Sequence, residues 1–575
     1  MGFFLGGNMS YKIYPLVHEI NYTGDSISMP ESISVEAKPE LSSANLHRLE
    51  EGLSLHNIQI MEDAETVICI ELEEKFNAID EYELAIEAGK WSIKAKDERA
   101  IFYALTTLYH VLEQSKNEIL TLNIHDFATY PFRGMIEGYY GIPFGNAKRK
   151  EILDFTSYFK GNVFAFAPKD DPYHRDKWWE PYPEAELEEI AELAKFAEQK
   201  AITYYWTISP FVVNDNQIKA DNKEEGLEKL INKFETLYEV GVRGFGVLGD
   251  DVGGLDFDTV VYLMNNLNKW RKEKGDVAPL FFCPEAYCLD EWAFKDGSEL
   301  NYYHEHFDKD IEIFYTGLIV CGTVSQEAMD GYMTKAVDVE GRRRAPLFWM
   351  NWPVNDIDHK TLRRLFMGPG EIFQTGKTQI TGVLTNPMEQ AEASKVSLFA
   401  TLDYNWNAEA FDAETSWEES FKYIDVGAPA ALHEICKHLS SQEEPAATHD
   451  AKESEAIKAL HKQLEAGEDK NSVLPLIIKE YNKVLDSIEE YRNNKSNVNL
   501  YEEMEQWLNA LEDKAKAGIF YAEAILNNNS EKKAEAEKLH EQAFLHKISS
   551  NSKDQLYANP GADTINKNLE LLKKL

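Results

Sequence analysis

Cysteine is scarce. The 575 residues hold five, odd in number and scattered: Cys69, Cys283, Cys288, Cys321 and Cys436. Such a set builds no disulfide framework, and Cys283 with Cys288 lacks the second pair that a zinc site would need. Long apolar runs are also missing. No stretch approaches the roughly 20 residues required to span a bilayer. The opening MGFFLGGNMSYKIYP has neither a basic n-region nor a long apolar segment. The expectation is a reduced, cytoplasmic protein, with a secreted chain that has lost its leader as the alternative. Basic charge is the third shortage: 59 Lys and Arg stand against 99 Asp and Glu, a formal net charge of -40. That field repels phosphate backbones and anionic lipid headgroups, so neither nucleic acid nor a membrane surface is an expected partner.

What remains is enough to fold. Hydrophobic residues make up 43% and aromatics 12%, and the length calls for two or three domains. Residues 1–126 read as a small α+β domain. Its alternating segments YELAIEAG and WSIKAK are half-buried strands, and DERAIFYALTTLYHVLEQ is an amphipathic helix with Asp97 at its N-cap. Residues 127–415 change pattern. Eight continuous apolar runs (in FRGMIEGYYG, NVFAFAPKDD, AITYYWTISP, GFGVLGDD, PLFFCPEAY, IEIFYTG, APLFWMNWPVND and ITGVLTNP) are mostly followed by helical material. Continuous rather than alternating runs suit parallel strands covered by helices, and this repeat length suits a (β/α)8 TIM barrel. A doubly wound open sheet is the rival. Residues 416–575 lack strand signals and carry apolar stripes such as Leu474, Ile477, Tyr481, Leu485 and Ile488, or Met504, Trp507, Leu511 and Ala515. This is an α-helical bundle packed on the barrel or on a second subunit, the latter giving a homodimer. SSQEEPAATHD is a polar break between helices.

In such a barrel the site forms where the strands end, and those ends are polar. They offer Glu137, Gly138, Tyr139 and Tyr140; Lys169, Asp170 and Asp171; Asp250 and Asp251; Glu285 and Tyr287; Thr316; Trp349, Asn351 and Asp356; and Asn386. Any one of them could cap a helix or pair on the surface. Together, beside Tyr and Trp, they describe a sugar pocket, because hydroxyls need directed hydrogen bonds and pyranose faces need aromatic walls. The histidines, His174 included, show no metal-ligand spacing.

Asp250 and Asp251 are adjacent. Glycosidases with two opposed carboxylates hold them roughly 5–5.5 Å apart for retention or 6.5–9.5 Å for inversion. Neighbours on one strand end leave the backbone in opposed directions and suit neither arrangement. They suit a mechanism in which the substrate's 2-acetamido oxygen is the nucleophile. One carboxylate then holds the amide N–H, while the other, its pKa raised by its charged neighbour, protonates the leaving oxygen and later deprotonates water. Metal binding is the competing chemistry, but hard cations need more oxygen ligands than can be grouped here.

RGMIEGYYGIPF, FAPKDDPYHRDKWWE, GVLGDD, FCPEAYC, YTG, FWMNWPVND and LTNPMEQAEASK occur in an order that resembles glycoside hydrolase family 84. That family contains the O-GlcNAcases and related bacterial β-N-acetylglucosaminidases, some of them called hyaluronidases. The resemblance implies a retaining, substrate-assisted exo-hydrolysis of terminal β-linked N-acetylglucosamine on proteins or glycans, without metal or cofactor. It also implies roles: Asp250 orients and polarises the acetamido group, and Asp251 is the general acid/base. Gly138, Lys169, Asp356 and Asn386 would hold sugar hydroxyls. Tyr287 would position the acetamido group, Thr316, Trp349 and Asn351 would line its pocket, and Tyr140 would shape the pocket's side. Met350, and the lack of proline after Gly317, depart from the family pattern without removing any of these groups. An endo-acting hyaluronidase-type hydrolase and a non-catalytic GlcNAc-binding module are the alternatives.

Overall fold

Alternation between covered and open residues runs through Ile79–Glu87, where Asp80, Tyr82, Leu84 and Ile86 are buried and their neighbours are not. That is the signature of a strand with one packed face. The structure, a computed structural model, describes residues 10–356, 361–441, 452–549 and 554–575. In it Ile79–Glu87 lies inside a seven-stranded mixed sheet, ordered Glu19–Ser28, Glu118–Ala128, Ile79–Glu87, Lys90–Ala95, Thr66–Leu72, Ser32–Lys38, Gln59–Ile60. The helix Glu98–Gln114 covers its buried face, capped by Asp97, whose side chain accepts the Ala100 N–H.

The eight apolar runs form a closed, all-parallel barrel. Its strands are β1 (Phe132–Glu137), β2 (Val163–Phe166), β3 (Thr203–Ile208), β4 (Gly244–Leu248), β5 (Phe281–Cys283), β6 (Glu312–Tyr315), β7 (Leu347–Met350) and β8 (Gly382–Thr385). The β4 unit shows the local code. Asp256 accepts the Thr259 N–H at 2.9 Å to start the helix Phe257–Lys274, which buries Val260, Leu263, Met264 and Leu267 and stops at Gly275, left-handed at φ 83°. The lumen is filled by rings. Tyr205 stacks on Phe281 at 3.8 Å, Phe281 meets Phe314 at 5.4 Å, and Phe314 meets Trp349 at 5.2 Å. The aromatic column therefore ends under the rim where the polar residues collect.

Beyond the barrel the long helices Lys470–Asn494 and Val498–Asn527 pack against each other through the predicted stripes. This region is not free of strands, however. Leu556–Ala558 pairs with Lys547–Ile548 and, in parallel, with Leu362–Arg363 from the β7–β8 connection. Runs of two and three residues carry no readable period, so only their pairing partners reveal them. The expected polar break at 440–450 lies, beyond Ser441, outside the described residues. All five cysteines are free thiols. Among the described residues no helix is long and apolar enough to cross a membrane.

Buried charge joins the first sheet to the barrel floor. Asp126 accepts from Tyr82 Oη at 2.7 Å, Lys160 Nζ at 3.0 Å and Trp406 Nε1 at 3.0 Å, and Arg133 pairs with Asp80 at 2.8 Å. Asp403, only 2% exposed, accepts the Leu16 N–H at 3.0 Å, and burial raises its carboxyl to about 6. A raised acid contributes stability that is fully present below its ordinary pKa and is lost as pH rises through the folded value. Asp403→Asn keeps an acceptor for Leu16 and abolishes that loss. Relative to wild type, the variant should gain up to about 3 kcal/mol between pH 4 and pH 7.5 in thermal denaturation. A constant difference across that range would contradict this.

Candidate functional site

Strand β4 ends at Leu248, and Gly249 continues its ladder by donating to Cys283 O at 2.8 Å. The chain then breaks away. Asp251 sits in the left-handed region at φ 58°, followed by Gly253 at 69° and Gly254 at 76°. Aspartate tolerates this conformation better than most residues. Once Asp250 and Asp251 are off the strand, the rule that neighbours face opposite sides no longer binds them.

Asp250 is held by Lys169, at the end of β2, in a very short ion pair, their side chains 10% and 4% exposed. Burial pushes the Asp250 carboxyl up, but the Lys169 ammonium and then Arg175 outweigh it and hold the group below the usual carboxylate range. Burial likewise pulls Lys169 down, and Asp250 more than restores it. The pair is thus ionised on both sides. Only Oδ2 of Asp250 is engaged; Oδ1 is buried and has no hydrogen-bond partner among the described residues. A buried, charged acceptor without a donor is costly and calls for explanation.

Asp251 is exposed and takes two phenols, Tyr140 Oη on Oδ2 and Tyr287 Oη on Oδ1, each at 3.0 Å. Tyr140 also accepts Arg175 Nη1 at 3.1 Å and donates its backbone N–H to Asp356 Oδ2 at 2.5 Å. On the opposite wall Asn386 accepts the Gly138 N–H at 3.1 Å and donates to Asn351 Oδ1 at 2.9 Å, which also accepts Trp349 Nε1 at 3.0 Å. Lys169 Nζ lies 5.6 Å from the centre of a Trp349 ring. The Gly138 backbone packs directly on the same indole, since a Cβ there would stand 2.4 Å from Trp349 Cζ2. Thr316 joins by donating its N–H to Tyr287 O at 2.7 Å, and its hydroxyl lies 3.4 Å from the same oxygen and 3.2 Å from Ile319 O. Chemically, the pocket offers a fixed anion with one open oxygen, an accessible carboxylate steadied by phenols, and amide and ammonium donors around an indole. Among the described residues no three His, Cys, Asp or Glu side chains gather in a way that could hold a metal ion.

Known proteins resemble this chain in sequence and in fold. Residues 133–439, more than half of the chain, match the family model described as beta-N-acetylglucosaminidase, and residues 10–127 match domain 2 of glycosyl hydrolase family 20. The solved structure of CpGH84D is 33% identical, with TM-score 0.88 over 98% of this chain and 99% of that one. The chain belongs to glycoside hydrolase family 84. CpGH84B, 24% identical with TM-score 0.86 over 98% of this chain and 100% of its own, shows the same fold. The Protein O-GlcNAcase of Mus musculus is 30% identical over 278 residues, 46% of this chain. This family 84 chain spans only 29% of the length of that curated relative, and the same holds for the Rattus norvegicus protein.

Every residue singled out from sequence as a candidate for the site thus belongs to one connected cluster, Thr316 through its N–H and hydroxyl on Tyr287 O. Other rim groups have different work. Glu137 takes a two-pronged grip from Arg149 at 2.8 and 2.9 Å, and Asp171 accepts the N–H groups of Tyr173 and His174. Glu285 binds the Gly254 N–H at 2.9 Å and Lys295 at 2.6 Å, bracing the loop that carries the two aspartates. His174 is neutral, pushed down to about 3 by burial and by Lys169. Arg175 went unread because an arginine inside an irregular loop has no spacing to betray it.

A depressed carboxyl contributes stability present above its ordinary pKa and lost as pH falls through the folded value. Lys169→Met strands the Asp250 charge, which should cost about 3–5 kcal/mol at pH 7. Below pH 4, where Asp250 can protonate, the deficit should shrink. A thermal-denaturation deficit that is equal at both pH values would refute the assignment.

Proposed function

We propose that this chain is a retaining exo-β-N-acetylglucosaminidase that removes terminal β-linked N-acetylglucosamine from proteins or glycans, using the sugar's own acetamido group as nucleophile. The observation that carries the reading is the division of labour within one pocket. Asp250 is buried, ionised and open at Oδ1, whereas Asp251 is accessible and held by two phenols. The mouse and rat relatives bear the name Protein O-GlcNAcase, which supports the substrate class.

In this mechanism the substrate acetamido N–H donates to Asp250 Oδ1. The carbonyl oxygen gains electron density and attacks the anomeric carbon from the face opposite the leaving oxygen. Asp251 gives that oxygen a proton as the bond breaks, leaving an oxazolinium ion whose N–H stays on Asp250. Asp251 then takes a proton from water as it opens the ring, and two inversions restore the β configuration. Lys169 keeps donors for a hydroxyl while it holds Asp250 ionised. Gly138, Asp356 and Asn386 take the remaining hydroxyls, and Trp349, Asn351 and Thr316 enclose the acetamido methyl. Tyr287 steadies Asp251 and the amide, and Tyr140 closes the side.

Leaving-group dependence tests the roles. Asp251→Asn should lower kcat/KM by about 100-fold or more on an alkyl glycoside, which needs its oxygen protonated, and far less on a dinitrophenyl glycoside. Asp250→Asn should slow both substrates, because each depends on acetamide attack. Equal losses on both glycosides for Asp251→Asn would remove its acid/base assignment.

A further inference from the structure

Asp356 and Leu362–Arg363 both belong to the β7–β8 connection, and Leu362–Arg363 pairs with Leu556–Ala558 of the helical region. At Arg363 the two regions meet. Its carbonyl accepts two donors from the helical region, Trp507 Nε1 at 2.9 Å and the Asn559 N–H at 2.8 Å. Its guanidinium turns the other way and donates to Asn355 O, in the residue before Asp356. Asn355 is buried, and its amide donates to Arg364 O at 3.1 Å and to Gln390 Oε1 at 3.0 Å. Asp356 in turn receives the Tyr140 N–H at 2.5 Å. The chain of contacts thus runs from the core of the helical region to the pocket wall without a gap.

We propose that Arg363 is a positioning residue through which the C-terminal helical region sets Asp356, and with it Tyr140, in the sugar pocket. The proposal rests on the reading of Asp356 as a sugar ligand. A contact that merely glued two domains together would have no reason to end on the backbone beside a pocket carboxylate. The charge of Arg363 also acts on the pocket side: it opposes the rise that burial imposes on Asp356 and on Glu389, which accepts the Ile142 N–H at 2.6 Å. Both ends of the Tyr140–Ile142 loop are therefore held by carboxylates within the field of one guanidinium. Trp507 belongs to an apolar stripe that looks like plain helix core, yet its indole N–H is spent outside the helices.

The test is a double-mutant cycle on the full chain with an aryl N-acetylglucosaminide. Arg363→Met should raise KM about ten-fold with a smaller change in kcat, Arg363→Lys should recover most of that, and Trp507→Phe should shift KM in the same direction by less. On an Asp356→Ala background, itself raised in KM, Arg363→Met should add less than about two-fold. If Asp356→Ala raises KM while Arg363→Met and Trp507→Phe only lower the melting temperature, or if Arg363→Met acts in full on that background, the positioning role is overturned. An unchanged KM in Asp356→Ala alone would instead overturn the sugar-ligand reading beneath it.

Discussion

A carboxylate taken out of water needs a cation, and the pairing of Asp250 with Lys169 meets that need at the barrel rim. Desolvating each ion costs several kcal/mol, and a close partner returns much of it. The consequence is geometric as well as electrostatic. Lys169 leaves the end of β2 and Asp250 the end of β4, so their contact spans the mouth of β3 and fixes where the pocket floor lies. The aromatic column from Tyr205 to Trp349 supplies the low-dielectric ground beneath it.

The same chemistry has two fates in this molecule. At the floor, Asp126 and Asp80 are fully buried, and both oxygens of each face a donor or a cation: phenol, indole and ammonium for Asp126, Arg99 and Arg133 for Asp80. Those carboxylates are finished and serve to dock one region on another. At the rim, Asp250 is paired on one oxygen only. What sets Asp250 apart from these two is its place at the barrel rim beside the accessible Asp251, with one oxygen left open.

The barrel was legible because its strands are covered on both faces, so each writes a continuous apolar run with polar residues at one end. The adjacent aspartates stood out for the same reason, as charges where packing asks for none. Other features left no trace in the pattern. The left-handed turn at Asp251 cancels the alternation that adjacent strand residues would follow, and it is visible only as a backbone angle. Glu137 ends its strand as suggestively as Lys169, yet Arg149, twelve residues on, claims it. The strand at Leu362–Arg363 is two residues long and exists because Leu556–Ala558 lies beside it. Local sequence reports which faces are covered; it does not report which distant group takes a given polar atom.

The central claim is that the substrate's acetamido oxygen performs the attack while Asp250 holds its N–H. Rates on a series of aryl glycosides whose N-acetyl group carries zero, one, two or three fluorines test it directly, because each fluorine drains the carbonyl oxygen and leaves the aglycone unchanged. A stepwise fall in kcat/KM along the series is the predicted result. Equal rates across it, or equal rates on the matching glucoside with no N-acyl group, would contradict the account.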